Sequence, residues 1–226
     1  MSQINRIDGG LIDQEKVLNF TFNGQILKGC EGDTLASALL ANNKHLIGRS
    51  FKYHRPRGIV TAGSEEPNAI MEIGNGAYKD PNTRATVTQL YNGLEANSQN
   101  HRGPLSFDFM AITDFLSPLL GAGFYYKTFM WPKAFWEKFY EPAIRKSAGL
   151  GTLSTEADPD TYDKGFRHCD ILIIGSGATG LSAALTAAES GAKIILADED
   201  FLMGGRLNSE TNKIDGMAGS EWAKKT

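Results

Sequence analysis

Residues 169–205 limit what this chain can fold into more than any other stretch. Cys169-Asp170-Ile171-Leu172-Ile173-Ile174 is a short apolar, β-branched run, suited to a parallel strand covered on both faces. Gly175-Ser176-Gly177-Ala178-Thr179-Gly180 follows at once. The next nine residues, Leu181 to Glu189, are rich in good helix formers, and Gly191 can end the helix. Lys193-Ile194-Ile195-Leu196-Ala197-Asp198 reads as a second strand. A bare Gly-Xaa-Gly-Xaa-Xaa-Gly is a weak signal, but here it leaves a strand, opens a helix and is followed by an acid at the next strand tip. The three glycines do different things. Gly175 permits the tight turn, Gly177 lets a diphosphate approach the backbone, and Gly180 lets helix and strand pack closely. The free N–H groups and the positive end of the helix dipole then face the phosphates. Asp198 is placed to bind the adenosine ribose hydroxyls and disfavours a 2′-phosphate, so NAD or FAD is expected rather than NADP. Glu199, next door, is the rival for that contact.

Gly204-Gly205-Arg206 extends the pattern. An acid followed six residues later by Gly-Gly resembles the two-dinucleotide-binding flavoproteins, whose fold is similar to that of glutathione reductase. The expected cofactor-binding residues are therefore Gly175, Ser176, Gly177, Ala178, Thr179, Gly180, Asp198, Glu199, Gly205 and Arg206. Two strands and one helix are less than a mononucleotide-binding half needs, so the chain is expected to be the N-terminal fragment of a longer polypeptide.

Upstream, residues 1–16 are polar and are expected to form an extended arm. Val17–Phe22 alternates in the strand period, Asn23-Gly24 supplies the positive φ angles of a type I′ turn, and Gln25–Lys28 continues, which predicts a β-hairpin. Gly32-Asp33-Thr34 offers a helix N-cap ahead of Leu35, Ala38 and Leu39. With further short strands around residues 58–73, the order is that of a β-grasp domain. Twelve of the 22 aromatic residues then fall between Phe107 and Tyr140. They predict a core or a face covered by another domain, ahead of a stacking platform for a flavin or nucleic acid. Ala157-Asp158-Pro159-Asp160 reads as a turn-rich linker. The fold class expected is α+β plus α/β: an arm (1–16), a β-grasp domain (17–100), an aromatic connecting segment (101–165) and the start of a Rossmann-type FAD/NAD-binding domain (166–226).

A net charge of −3 argues against a nucleic-acid face and a polybasic membrane anchor. No apolar run reaches the length of a membrane span, and Met1–Asp8 has no signal-peptide character, so the cytoplasm is the expected compartment. Cys30 and Cys169 are expected to be reduced thiols. The four histidines, His45, His54, His101 and His168, lack metal-ligand spacing, so no zinc site is predicted. The basic cluster of Lys52, His54, Arg55 and Arg57 is expected on a solvated or subunit-facing loop, and His168 and Cys169 are expected to pack. Ser154, Ser176 and Ser182 have no base in a motif context, and no catalytic residue is named.

Several long strings carry a resemblance to a known family. They are Gly48-Arg49-Ser50-Phe51-Lys52-Tyr53-His54-Arg55-Pro56-Arg57-Gly58-Ile59, Glu66-Pro67-Asn68-Ala69, Gly123 through Met130, Tyr140-Glu141-Pro142-Ala143-Ile144-Arg145 and Ala148-Gly149-Leu150-Gly151. In order and spacing they resemble an opening part of the α subunit of heterotetrameric sarcosine oxidase. The resemblance implies a cytoplasmic αβγδ enzyme that demethylates sarcosine to glycine with oxygen, producing hydrogen peroxide and, with tetrahydrofolate, 5,10-methylenetetrahydrofolate. It implies FAD and FMN in the assembled enzyme and NAD in the site of this chain, on Gly175, Gly177, Gly180 and Asp198. The β-grasp domain is similar to one that carries a [2Fe–2S] cluster in related amine dehydrogenases. Their three cysteines correspond here to Thr61, Glu66 and Ala69, so the expectation is a domain without an iron-sulfur cluster. The alternatives are a subunit of a related FAD-dependent amine, opine or proline dehydrogenase, or a non-catalytic scaffold. This segment alone is expected to be inactive.

Overall fold

The computed structural model describes residues 3–8, 10–124, 129, 131–147 and 151–226. A long strand, β1 (Asp13–Phe22), turns at Asn23 and Gly24, whose φ angles of 50° and 76° fit a type I′ turn, into antiparallel β2 (Gln25–Glu31). β1 starts four residues before the apolar alternation does, across a register irregularity between Asp13 and Val17. Lys16, 3.0 Å from Glu31, ties this polar extension to β2, a cross-strand contact that hydrophobic alternation does not signal.

Helix α1 (Leu35–Ala41) opens on a reciprocal cap: Thr34 Oγ1 accepts from Ser37 N and Ser37 Oγ accepts from Thr34 N, both at 3.0 Å. Its buried Leu35, Ala38 and Leu39 pack with Phe20, Phe22, Ile47, Met71 and Leu94 in one core. A short pair, β3 (Gly48–Arg49) with β4 (Pro56–Arg57), precedes β5 (Ile70–Ile73), β6 (Asp80–Arg84) and β7 (Leu94–Ser98). The five-stranded sheet runs β2-β1-β7-β5-β6, with β1 and β7 parallel and the other neighbours antiparallel. A hairpin, a helix across it and a later strand returning parallel to the first is the β-grasp arrangement.

Two buried carboxylates stiffen this domain. Asp33, fully buried, takes both guanidinium nitrogens of Arg6 at 2.6 and 3.1 Å, Cys30 N at 2.8 Å and Ser37 Oγ at 2.6 Å. Glu66, 1% exposed, takes the backbone amides of Val60 and Thr61 on one oxygen and of Asn68 and Ala69 on the other. Burial pushes its carboxyl up, but these amides hold it below the usual carboxylate range.

The aromatic segment contains a short helix, α2 (Ile112–Phe115), and a π-turn at Trp136–Tyr140 running into α3 (Glu141–Ser147). Of the two expectations for the aromatic segment, a core is not what these residues form, since Phe107, Phe109, Phe115, Trp131 and Phe139 are all exposed, as a face for another domain would be. Phe129 and Tyr140, 5.1 Å apart, line an apolar cavity with Met110 and Ile144. Tyr125, Tyr126, Lys127, Thr128 and Met130 of the resemblance strings, and Ala148–Leu150, lie outside the described residues.

In the last part, β8 (Ile171–Ile174) pairs in parallel with β9 (Ile194–Ala197), residue for residue from Ile171↔Ile194 to Ile174↔Ala197. Helix α4 (Ala178–Ala188) connects them, and Leu181 packs with Leu207 and with Ala223 of a terminal helix, α5 (Gly219–Lys225). A small hairpin of β10 (Lys213–Ile214) and β11 (Met217–Ala218) leads into α5. The expectation that β8 is covered on both faces does not hold: Leu172 and Ile174 are exposed, since one helix against two strands leaves the other face open.

Candidate functional site

The strand-to-helix junction is built as its glycines require. Gly175 has φ +98° and its N–H donates to Ala197 O at 2.7 Å, which stitches the tip of β8 to β9. A Cβ on Gly180 would stand 1.8 Å from Gly175 O, so only glycine allows α4 to lie this close to the turn. Gly177 is the N-cap of α4; a Cβ there would meet nothing within 4 Å, and no side chain caps the helix. The first amides of α4 therefore face open space in front of Gly177. That space and the helix dipole suit a diphosphate.

Asp198 reaches the same junction. Its carboxylate accepts from Ser176 N, and its other oxygen accepts from Asp200 N at 2.9 Å. Burial works against its charge, but the amides of Asp200 and Ser176 outweigh that and hold the carboxyl low. Asp200 behaves oppositely: burial, with Asp198 and Glu199 close by, pushes its carboxyl up. Glu199 turns away and meets Arg84 Nη1 of β6 at 3.2 Å. Of the two rival acids, Asp198 is thus the one at the glycine turn.

The remaining expected residues sit around this junction. Gly204 N donates to Ser176 O at 2.9 Å, and a Cβ on Gly205 would come 3.3 Å from Gly177 Cα, so the Gly-Gly turn closes directly on the glycine loop. Ala178 and Thr179 form the exposed first turn of α4. Arg206 lines the cavity with its side chain largely in solvent, 3.1 Å from Glu210. The cavity holds about 480 Å³, and Asp200, Leu11, Ile12, Ser64 and Glu65 share in its lining. These five were not expected; four belong to the N-terminal part of the chain, and no local motif connects them to the glycine loop.

Three expectations about other residues change. His54 does not sit on a solvated loop: it is 3% exposed, with Nδ1 2.6 Å from Asp108, whose oxygens also hold the amides of Arg102 and Met110. Burial pushes the Asp108 carboxyl up, but the amides and His54 bring it below its ordinary range. His54 Nε2 has no hydrogen-bond partner. Arg55 pairs with Asp114 at 2.6 Å, and Lys52 Nζ lies 4.9 Å from the Phe124 ring, so these two cations brace the 105–124 segment. His168, expected to pack, is exposed. Cys30 and Cys169 are free thiols. Among the described residues, no helix is long and apolar enough to cross a membrane, and no group of three or more His, Cys, Asp or Glu is arranged to hold a metal ion.

Comparison with known proteins fits this division. Residues 15–101 match the family described as 2Fe-2S iron-sulfur cluster binding domain, and residues 170–224 match FAD dependent oxidoreductase. The chain thus joins a ferredoxin-like domain to an FAD-dependent oxidoreductase domain. The chain is similar to sarcosine oxidase subunit alpha. It is 60% identical to that protein of Rhizobium meliloti (strain 1021) over 96% of this chain and 22% of the relative, and 33% identical to that of Corynebacterium sp. (strain U-96) over 95% of this chain and 18% of the relative. The chain therefore spans about a fifth of the length of these relatives. A solved L-proline dehydrogenase from P.horikoshii overlays with TM-score 0.49 at 18% identity, covering 94% of this chain and 31% of that one, too low to carry weight.

The first match overturns one expectation. A domain without an iron-sulfur cluster follows from Thr61, Glu66 and Ala69 taken alone, whereas the domain matches a cluster-binding family over residues 15–101. Three side chains are not decisive for a domain whose family is carried by its β-grasp scaffold. The loop as it stands is closed on the Glu66 carboxylate.

Proposed function

We propose that this chain forms the ADP-gripping part of an adenine dinucleotide site in the α subunit of a sarcosine oxidase. The observation that carries this is the open, uncapped start of α4 in front of Gly177, with Asp198 pinned beside it. The amides of Ala178 and Thr179 bind the diphosphate, Gly177 admits it, and Asp198 accepts from the adenosine ribose hydroxyls. Ser176 N holds Asp198 ionised and in place, so the carboxylate needs no rearrangement when the sugar arrives. Arg206 stands at the cavity edge, where a guanidinium complements phosphate charge.

FAD is supported by the family matched at residues 170–224, and NAD by the resemblance to the α subunit; the ADP end, which these residues address, is common to both. Such a dinucleotide, when bound, would supply hydride chemistry at its other end. The substrate we propose for the whole protein is sarcosine, oxidised to glycine with molecular oxygen as the two-electron acceptor, which leaves as hydrogen peroxide, and with transfer of the one-carbon unit to tetrahydrofolate. The protein would work in the cytoplasm beside β, γ and δ subunits. Purifying it with its partner subunits tests this: sarcosine-dependent peroxide formation is expected, and its absence in a complex with full cofactor occupancy would sink the assignment. Extracted nucleotide, separated by chromatography, distinguishes FAD from NAD.

A further inference from the structure

The cavity in front of Gly177 has two walls, and only one belongs to the Rossmann unit. Leu11, Ile12, Ala62, Ser64 and Glu65 face it from the N-terminal domain, opposite Gly177 and Asp198. We propose that this domain encloses the adenosine end of the dinucleotide, with the loop 62–65 and the strap at Leu11–Ile12 as specificity-determining wall; the proposal rests on the dinucleotide reading above.

Both pieces of that wall are held firmly for surface segments. The loop is pinned at each flank by one carboxylate, since Glu66 takes Val60 N and Thr61 N before it at 2.8 and 2.7 Å, and Asn68 N after it at 2.7 Å. Thr86 Oγ1 donates to Gly63 O at 2.7 Å and fixes the middle. The strap is clamped through Arg6 on the buried Asp33, and it lies flat on Gly32, where a Cβ would stand 3.0 Å from Leu11 O. Gly32 has φ +91°, so a larger residue there would be strained as well as crowded. Beside the cavity, the Arg84–Glu199 pair joins the two units one residue from Asp198. A wall fixed in advance adds affinity because little of it remains to be ordered on binding. Its chemistry suits adenosine: Leu11, Ile12 and Ala62 offer apolar contact to a planar base, and Ser64 and Glu65 bring acceptors for an exocyclic amine.

The test is calorimetric titration of ADP, which carries adenosine and diphosphate alone, into the full protein and three variants. Ala62 is exposed, so Ala62→Trp can fold while filling the cavity from the N-terminal side; Arg6→Met releases the strap; Gly177→Val blocks the diphosphate. We expect at least about tenfold weaker binding for Ala62→Trp and Gly177→Val and a few-fold loss for Arg6→Met, with unchanged circular dichroism. If Ala62→Trp does not fold, Ser64→Trp replaces it. ADP binding that Gly177→Val removes while both wall variants bind normally overturns this inference and leaves the dinucleotide reading intact. ADP binding that is absent from the parent protein, or indifferent to Gly177→Val, removes the dinucleotide reading and this inference with it.

Discussion

Two glycines of the same motif, Gly177 and Gly180, have different jobs, and substitution separates them. Gly177→Val adds a Cβ that meets nothing within 4 Å, at a backbone angle any residue adopts. We expect a melting temperature within a degree or two of the parent and loss of dinucleotide retention. Gly180→Ala forces its methyl against Gly175 O and is expected to destabilise the Rossmann unit by about 1–3 kcal/mol, seen as early loss of its amide protection in hydrogen exchange. At Glu66 the electrostatics decide. Glu66→Gln turns an amide N–H2 toward a pair of buried backbone donors, and a loss of about 1–3 kcal/mol in denaturant unfolding is expected. The acid response follows from the same groups. Glu66, Asp108 and Asp198 all sit below their ordinary pKa in the folded chain, so the unfolded chain binds more protons near pH 4. Their stabilisation is present above that range and is lost as pH falls through the depressed folded values. Unfolding midpoints should drop steeply below about pH 4, less so in Glu66→Gln.

At the scale of elements, much was legible in advance. The hairpin turn at Asn23-Gly24, the cap at Thr34 and the strand–glycine–helix order at residues 171–188 all follow from local rules, and each is found. Those rules concern neighbours in sequence: φ angles, a side chain reaching three residues on, an apolar run. The polar start of β1 was not legible, because it rests on Asp13 pairing with Glu31 in the ladder and on the Lys16–Glu31 ion pair. The burial of His54 was not legible either. Its φ of +52° and its partner Asp108, far along the chain, make an internal dyad from what reads as a basic surface string. Between Asp198 and Glu199 the Gly-Gly spacing already favours Asp198, and the fold turns that carboxylate to the glycine loop and Glu199 to Arg84.

Across the whole molecule, the two units meet at the candidate cavity, and the charged contact between them is weak by itself. Arg84 and Glu199 are both well exposed, so a double-mutant cycle on their alanine variants should give a coupling under about 1 kcal/mol, smaller still in high salt. The apolar enclosure, not this pair, is expected to set how ligand binding couples the units. The exposed Phe107, Phe115, Trp131 and Phe139 form apolar surface of the kind that a partner covers.

The sequence by itself determined the class: a glycine turn between strand and helix, an acid at the next strand tip and long family strings leave few alternatives, because backbone sterics and helix-end amides act over a handful of residues. Only the tertiary structure decided that an arm and loop from another domain wall the cavity, and that Glu66 closes its loop on buried amides. Those outcomes depend on distances between residues far apart in the chain, which are fixed when the core packs and the buried charges find their partners.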